Sequence, residues 1–546
     1  MLRVFGDRRT LAVLLAIVAV GAGLRLYTYR GLWGTDDAEY ARLANAMATG
    51  RYGEFVQENY VDAFNAPAQL PGRVGMVVPL AALFRVGGVS ETTLVLYPFL
   101  ASVAGIIVAY LTGHLLFGAS AGLVAAALWA LVPEDIEAAT YYLPDGIASM
   151  YGSLGVLVLL FVLVTRIERQ GPRLLWGLLA GVFFGASWLT KESIVYLVPF
   201  TGVLLVADAR RDLRSAISLW SGVALASGGI LLAEMATYQV MKGDFLLRMH
   251  ETERSHVQAQ SYLFYEGSRF GWPEGGSYLK AVIKRLVIEG PSVIALNTRY
   301  LFLPFFGLLA TAHAIYGRDR SFWLPAVWLG SLAFMYNFAS ASFASYTPLV
   351  LYSRYLHPLL LPAAVLTAGL IVKLSRPGPA SAGPRSEARF WGGAVAVAVL
   401  FVGLYASFRE VRDIASIKRI FEVREVATLV SPTDRIYTDP LSVKSLEFHW
   451  KYPDSHAVAD FEGMSPEAVV PGSFVLMDEV RLDWLQVNVS MWLTEDYGYH
   501  RPDFDQPPPT WDPVWRNANA VLYRVTLRVD WIGAAGRRRE VVVGLV

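Results

Sequence analysis

The stretch GLWGTDDAEYARLANAMATGRY, Gly31–Tyr52, holds Asp36, Asp37 and Glu39 within four positions, with no basic residue before Arg42. Carboxylates so spaced suit two kinds of work. Their oxygens could ligate a hard divalent cation such as Mg2+ or Mn2+. Alternatively, Thr35 or Asp36 is a helix N-cap, and the acids face the positive end of the dipole. DDAEYARLANAMATG reads as such a helix, stopping at Gly50. The two readings are compatible, because a helix N-terminus also holds a carboxylate in place.

A second set is basic. Lys191 (WLTKES), Arg354 (YSRYLHP) and Arg73 (LPGRVG) stand beside apolar runs. There a basic side chain can snorkel to the interface or bind an anion such as phosphate. Arg299, in IALNTRYLFLPF, lies among apolar residues and is a functional candidate by default, with pairing to Glu289 or snorkelling outward as its structural alternatives. Asp145 follows Pro144 and can cap the next helix. Glu134, Asp135 and Glu137 are expected to be solvated, and Glu234 to serve helix packing. His250 and His256 in RMHETERSHVQ fit no zinc-ligand spacing, so that stretch reads as a solvated amphipathic helix.

A polytopic α-helical membrane protein must position these groups. Of 546 residues, 54% are hydrophobic and 17% charged, against about 25% charged in soluble chains, and mean hydropathy is +0.41. Absence of cysteine excludes disulfides, thiolate metal sites and a cysteine nucleophile. Apolar segments fall near 10–29, 91–117, 119–141, 146–165, 174–190, 191–207, 215–240, 291–315, 321–339, 355–374 and 390–408. These make about eleven spans for a hydrocarbon core of about 30 Å. The first lacks a convincing cleavage site and reads as an uncleaved span. The shorter run Val74–Val86 reads as an interfacial helix.

With the N-terminus inside, the loops MLRVFGDRR, TRIERQGPR, ADARRDLRS, YGRDRS and KLSRPGPASAGPRSEAR all become cytoplasmic, as their arginines and lysines favour. Residues 30–90, 241–290, 340–354 and the tail then face outward. Arg354 thereby precedes a span at the outer face, where the same bias disfavours idle arginines. Residues 1–408 form the transmembrane module, with 30–90 as its first outer loop. The outer loop 241–290, with Tyr262, Tyr265 and Trp272, is long enough to be a lid. After the linker 377–388, residues 409–546 read as a small extracytoplasmic α/β domain. Its strand-like pieces are DRIYTDP, SHAVADF, SFVLMDE and NAVLYRV, and LSVKSLEFHW is a helical one.

GTDDAEYARLANAM straight after the first span resembles the first outer loop of the GT-C glycosyltransferases. More narrowly, it is similar to the family of the protein O-mannosyltransferases and the aminoarabinose transferase of lipid A. LPGRVGMVVPLAALFRVGG resembles that loop's later juxtamembrane helix. ALVPEDIEAATYYLPDGIASMYGSLG resembles the second outer loop, GASWLTKESIVYLVPF the LTK hairpin, and YSRYLHPLLLPAAVL the entry to a later span. The likeness covers roughly residues 10–375 and fades through 241–350. It implies a GT-C fold in the cell inner membrane and transfer of a sugar from a polyprenyl-phosphate carrier to an acceptor hydroxyl, with inversion. Asp36 aligns with the catalytic aspartate, so it would be the base, with Asp37 beside it. Arg354, Lys191 and Arg73 would cradle the donor phosphate. Asp145, Tyr142, Arg299 and Glu39 would complete the substrate site, with a divalent cation left open. The acceptor is a glycan, lipid or protein, and no nucleic acid is expected.

Two other readings compete. A transporter or flippase of polyprenyl-linked glycans would also have many spans, but it concentrates ionisable groups at mid-bilayer. A non-catalytic scaffold would be indifferent to substitution of Asp36.

Overall fold

The computed structural model describes residues 7–29, 31–53, 73–250, 252, 282–340, 346, 349, 351–375, 401, 404–414, 423–453, 457–462, 464–483, 485, 507–532 and 538–543. The linker 377–388, most of the expected lid and most of the expected span 390–408 lie outside these. Two compact units emerge: one of Met1–Gly31, Glu58–Leu80 and Val95–Ala415, the other of Leu32–Gln57, Ala81–Leu94 and Ser416–Val546. The acidic loop that sequence places in the transmembrane module therefore clusters with the tail.

The first unit is built from α1 (Arg8–Tyr27), α4 (Glu91–Phe117, whose first turn up to Leu94 belongs to the second unit), α5 (Ala119–Ala130), α6 (Pro133–Ala138), α7 (Pro144–Val164), α8 (Gln170–Thr190), α9 (Val198–Ala209) and α10 (Leu213–Lys242). They are followed by α11 (Gly290–Ala295), α12 (Leu303–Gly317), α13 (Trp323–Phe338) and α14 (Leu360–Ser375). Two further helices precede α4 in the chain, α2 (Asp36–Ala48) and α3 (Val74–Gly87). Among the described residues, seven helical stretches are long and apolar enough to cross a membrane. They are α1, α4, α7, α8, Glu192–Ala209, α10 and Ser353–Ser375.

Other expected spans are divided. The 119–141 run ends its helix at Ala130, and Pro133, which cannot donate a backbone hydrogen bond, starts α6 anew. The 291–315 run breaks at Leu301 and Phe302, both in the left-handed region at φ 54°. Small residues let helices close: a Cβ on Gly177 would lie 2.0 Å from the Leu219 carbonyl oxygen of α10, and one on Gly181 would lie 2.6 Å from that of Val223. The core includes Trp129, Phe200 and Trp328, the last two stacked at 5.4 Å.

The second unit carries a five-stranded sheet of order β2-β1-β3-β5-β4, from β1 (Ile436–Thr438), β2 (Val458–Asp460), β3 (Phe474–Asp478), β4 (Trp511–Arg516) and β5 (Ala520–Val525). β1 runs parallel to β2 and β3, while β5 is antiparallel to β3 and β4. Alternate residues of β3 enter different clusters, Val475 and Met477 in one and Phe474 and Leu476 in the other, as a sheet covered on both faces requires. Helices α15 (Val423–Leu429) and α16 (Pro440–His449) belong to this unit, and β6 (Leu527–Ile532) pairs with β7 (Arg538–Val543).

Candidate functional site

The acidic loop is shaped by its own backbone. Thr35 is the N-cap of α2, but its side chain makes no capping bond. Asp37, within the first turn, reaches back to hold the loop that leads into the helix. One of its carboxylate oxygens accepts the Trp33 N–H at 2.6 Å, and the other accepts those of Gly34 at 3.1 Å and Thr35 at 2.9 Å. Asp37 is fully buried, and burial pushes its carboxyl up to about 6 despite the lowering by the Trp33 and Thr35 N–H groups. Glu39 is buried and pairs with Lys444. Asp36 is partly exposed. The helix ends as its sequence indicates, with Thr49 as C-cap and Gly50 at φ 78°.

With Asp37 closing the loop and Glu39 on a lysine, the trio does not fit a shared cation. Among the described residues no group of three or more His, Asp or Glu is placed to hold a metal. His250 pairs with Asp244 at 2.8 Å.

In the first unit, polar chemistry gathers where α8 ends. Lys191 has extended backbone (φ −157°) and stops that helix, and Glu192 opens a 3-10 turn, Glu192–Leu197. Lys191 Nζ lies 2.5 Å from Asp145 Oδ1 and 3.8 Å from the centre of the Tyr355 ring. The Arg354 guanidinium lies 5.2 Å from that same ring. Arg73 and Arg248 meet Glu192 at 3.7 and 3.5 Å, one on each carboxylate oxygen. Arg248 also bonds Glu234 at 2.6 Å and lies over Trp188 at 4.9 Å. Gly75 brings Arg73 here. A Cβ on Gly75 would lie 2.7 Å from the Thr190 backbone nitrogen, so α3 meets the end of α8 backbone to backbone.

The structure therefore brings together Arg73, Lys191, Arg354 and Asp145, and adds Glu192 and Arg248. A Lys-Glu pair at a helix end was the signal for Glu192. Arg248 had no local signal. Tyr142 is buried and donates to the Met76 carbonyl oxygen at 2.7 Å, fastening α3. Arg299 pairs with Glu134 at 2.9 Å and with Glu137. Glu289, its expected partner, pairs with Lys284 at 2.7 Å.

The expected solvation of Glu134 and Asp135 is corrected: both are buried. Asp135 accepts from Arg25, Ser102, the Trp129 indole at 3.0 Å and His357 Nε2 at 2.9 Å. A carboxylate with so many donors is stable away from water.

The long apolar helices and the small sheet define a class, a polytopic α-helical membrane protein with an α/β unit. Residues 78–231 match the family model of the dolichyl-phosphate-mannose-protein mannosyltransferases. The chain is similar in structure to ArnT from Cupriavidus metallidurans bound to undecaprenyl phosphate (TM-score 0.56, 17% identity, 94% of this chain and 97% of that one). It is also similar to the apo form of the Archaeoglobus fulgidus oligosaccharyltransferase (TM-score 0.53, 13% identity, 92% and 76%). No curated protein matches the chain.

Proposed function

We propose that this chain is an inner-membrane glycosyltransferase that moves a sugar from a polyprenyl phosphate to an acceptor hydroxyl at the extracytoplasmic face. The observation that carries this reading is the gathering of Arg73, Lys191, Arg248 and Arg354 at one turn beside an apolar helix end. A phosphate ester on a lipid chain is the anion suited to such a place. Charge-assisted bonds from these donors stabilise it as a leaving group, so no general acid is needed there.

In the reaction, the Asp36 carboxylate takes the proton of the acceptor hydroxyl as its oxygen attacks the anomeric carbon. The bond from that carbon to the phosphate oxygen breaks, polyprenyl phosphate departs, and a single displacement inverts the centre. Asp37 has a different task, since its oxygens already hold the loop. Asp145 and Tyr355 orient Lys191.

The test is Asp36→Asn in cells, with mass spectrometry of envelope glycans and binding of undecaprenyl phosphate to the purified protein. The product that disappears on deletion should fall at least about a hundredfold, with binding retained. Normal product levels in this variant would end the proposal.

A further inference from the structure

Within the second unit, contacts of the tail converge on the loop that carries Asp36. Arg481, fully buried, is held by Ser442 Oγ at 3.1 Å, Ser445 Oγ at 3.0 Å and Asp478 at 3.6 Å, and its Nη2 donates to the Trp33 carbonyl oxygen at 3.5 Å. Lys444 pairs with Glu39, and Glu447 stands 3.9 Å from Arg42. One face of α16 thus meets the first two turns of α2 through two ion pairs of opposite polarity. Gly34 shows how tight the approach is: a Cβ there would lie 2.5 Å from Ser445 Oγ and 3.1 Å from the Leu441 carbonyl oxygen. Glu91 completes the hold, accepting the Leu32 N–H at 3.2 Å while pairing with Arg424.

From this geometry we infer that the C-terminal α/β domain is a positioning element for the acidic loop, with Lys444 and Arg481 as its working residues. Gly34 and Glu39 both meet α16, Trp33 meets Arg481, and Leu32 meets Glu91, which is itself paired with Arg424. Asp36 lies between Gly34 and Glu39 and inherits their placement. A helix of 13 residues would be marginal in isolation, and a carboxylate on a fraying first turn is a poorly placed base. This inference rests on the reading of Asp36 as that base.

The experiment compares wild type, Lys444→Met and Lys444→Arg as full-length protein. Hydrogen exchange is followed over 36–48, together with envelope product in cells and undecaprenyl phosphate binding. Lys444→Met should speed exchange across 36–48 and lower product about tenfold, leaving phosphate binding within twofold. Lys444→Arg, which keeps the charge, should restore both. Unchanged exchange in Lys444→Met overturns the inference, and so does faster exchange with undiminished product. Failure of the base reading is seen separately, as normal product from Asp36→Asn, and leaves the exchange result intact.

Discussion

Lys191 and Asp145 form a buried ion pair, Nζ to Oδ1 at 2.5 Å, between the end of α8 and the start of α7. Removing one partner strands a charge in a poor solvent, whereas removing both does not. Asp145→Asn should therefore destabilise the protein by about 3 kcal/mol. Adding Lys191→Met should recover most of that loss. Undecaprenyl phosphate binding should be weakened only in the double variant, because there the cation is gone. Thermal unfolding in detergent and a lipid titration separate the two effects; a double variant that binds like wild type would remove Lys191 from the phosphate site.

How much of this was readable follows from which signals are local. The start and stop of α2 are local, since Thr35, the acids and Gly50 mark them within one stretch of chain. Lys191, Arg73 and Arg354 stood out because charges beside apolar runs are conspicuous. Asp135 was misread because PEDIE looks polar in isolation. Its partners Arg25, Ser102 and His357 lie 110, 33 and 222 residues away. Strand β4 escaped notice because Pro513 sits inside it, which an edge strand tolerates. The break at Leu301 and Phe302 leaves no compositional trace, since both residues are apolar.

Asp37 makes loop stability depend on pH. Its folded carboxyl titrates near 6, above the ordinary 3.8, so over that interval the folded state binds the proton that the unfolded state has lost. The resulting stabilisation is complete below about 3.8 and disappears as pH rises through about 6. Asp460 and Asp478 are raised similarly by burial, and His449 is lowered to about 4. The informative quantity is therefore the difference between wild type and Asp37→Asn, in which those groups cancel. Lowering pH from 7 to 5 should stabilise wild type relative to the variant. Parallel unfolding curves at the two pH values would contradict it.

Gly34 is a steric test of the loop. Its φ of 94° is open to glycine and strained for other residues, and a Cβ would collide with Ser445. Gly34→Ala should cost about 2 kcal/mol, from backbone strain together with overpacking. In a Ser445→Ala background, which already lacks the bond to Arg481, the collision is relieved and Gly34→Ala should cost only the backbone strain, about 1 kcal/mol. An equal cost of Gly34→Ala in the wild-type and Ser445→Ala backgrounds would show that α16 does not press on the loop in solution.

Arg354 and Lys191 share the Tyr355 ring, at 5.2 and 3.8 Å. An aromatic ring within reach of two cations favours both, so its loss should weaken phosphate binding without touching either charge. Tyr355→Leu should raise the dissociation constant for undecaprenyl phosphate about fivefold, and Arg354→Ala about tenfold. A lipid titration at two salt concentrations checks this. The Arg354→Ala loss should shrink as salt rises, because screening weakens the contact removed. Equal loss at both concentrations would assign Arg354 a packing role instead.

Glu192 sets the charge that a donor phosphate meets. Its carboxylate bridges Arg73 and Arg248, and its side chain is 19% exposed, so it neutralises one of the charges proposed to bind the lipid. Glu192→Gln keeps the shape and removes that neutralisation. A partly solvated pair of this kind is worth up to about 1 kcal/mol, so undecaprenyl phosphate should bind up to about fivefold tighter. Arg73→Gln should act in the opposite direction, and the double variant should fall between them. If Glu192→Gln weakens binding instead, the two arginines depend on Glu192 for their placement, and the phosphate is held by Lys191 and Arg354.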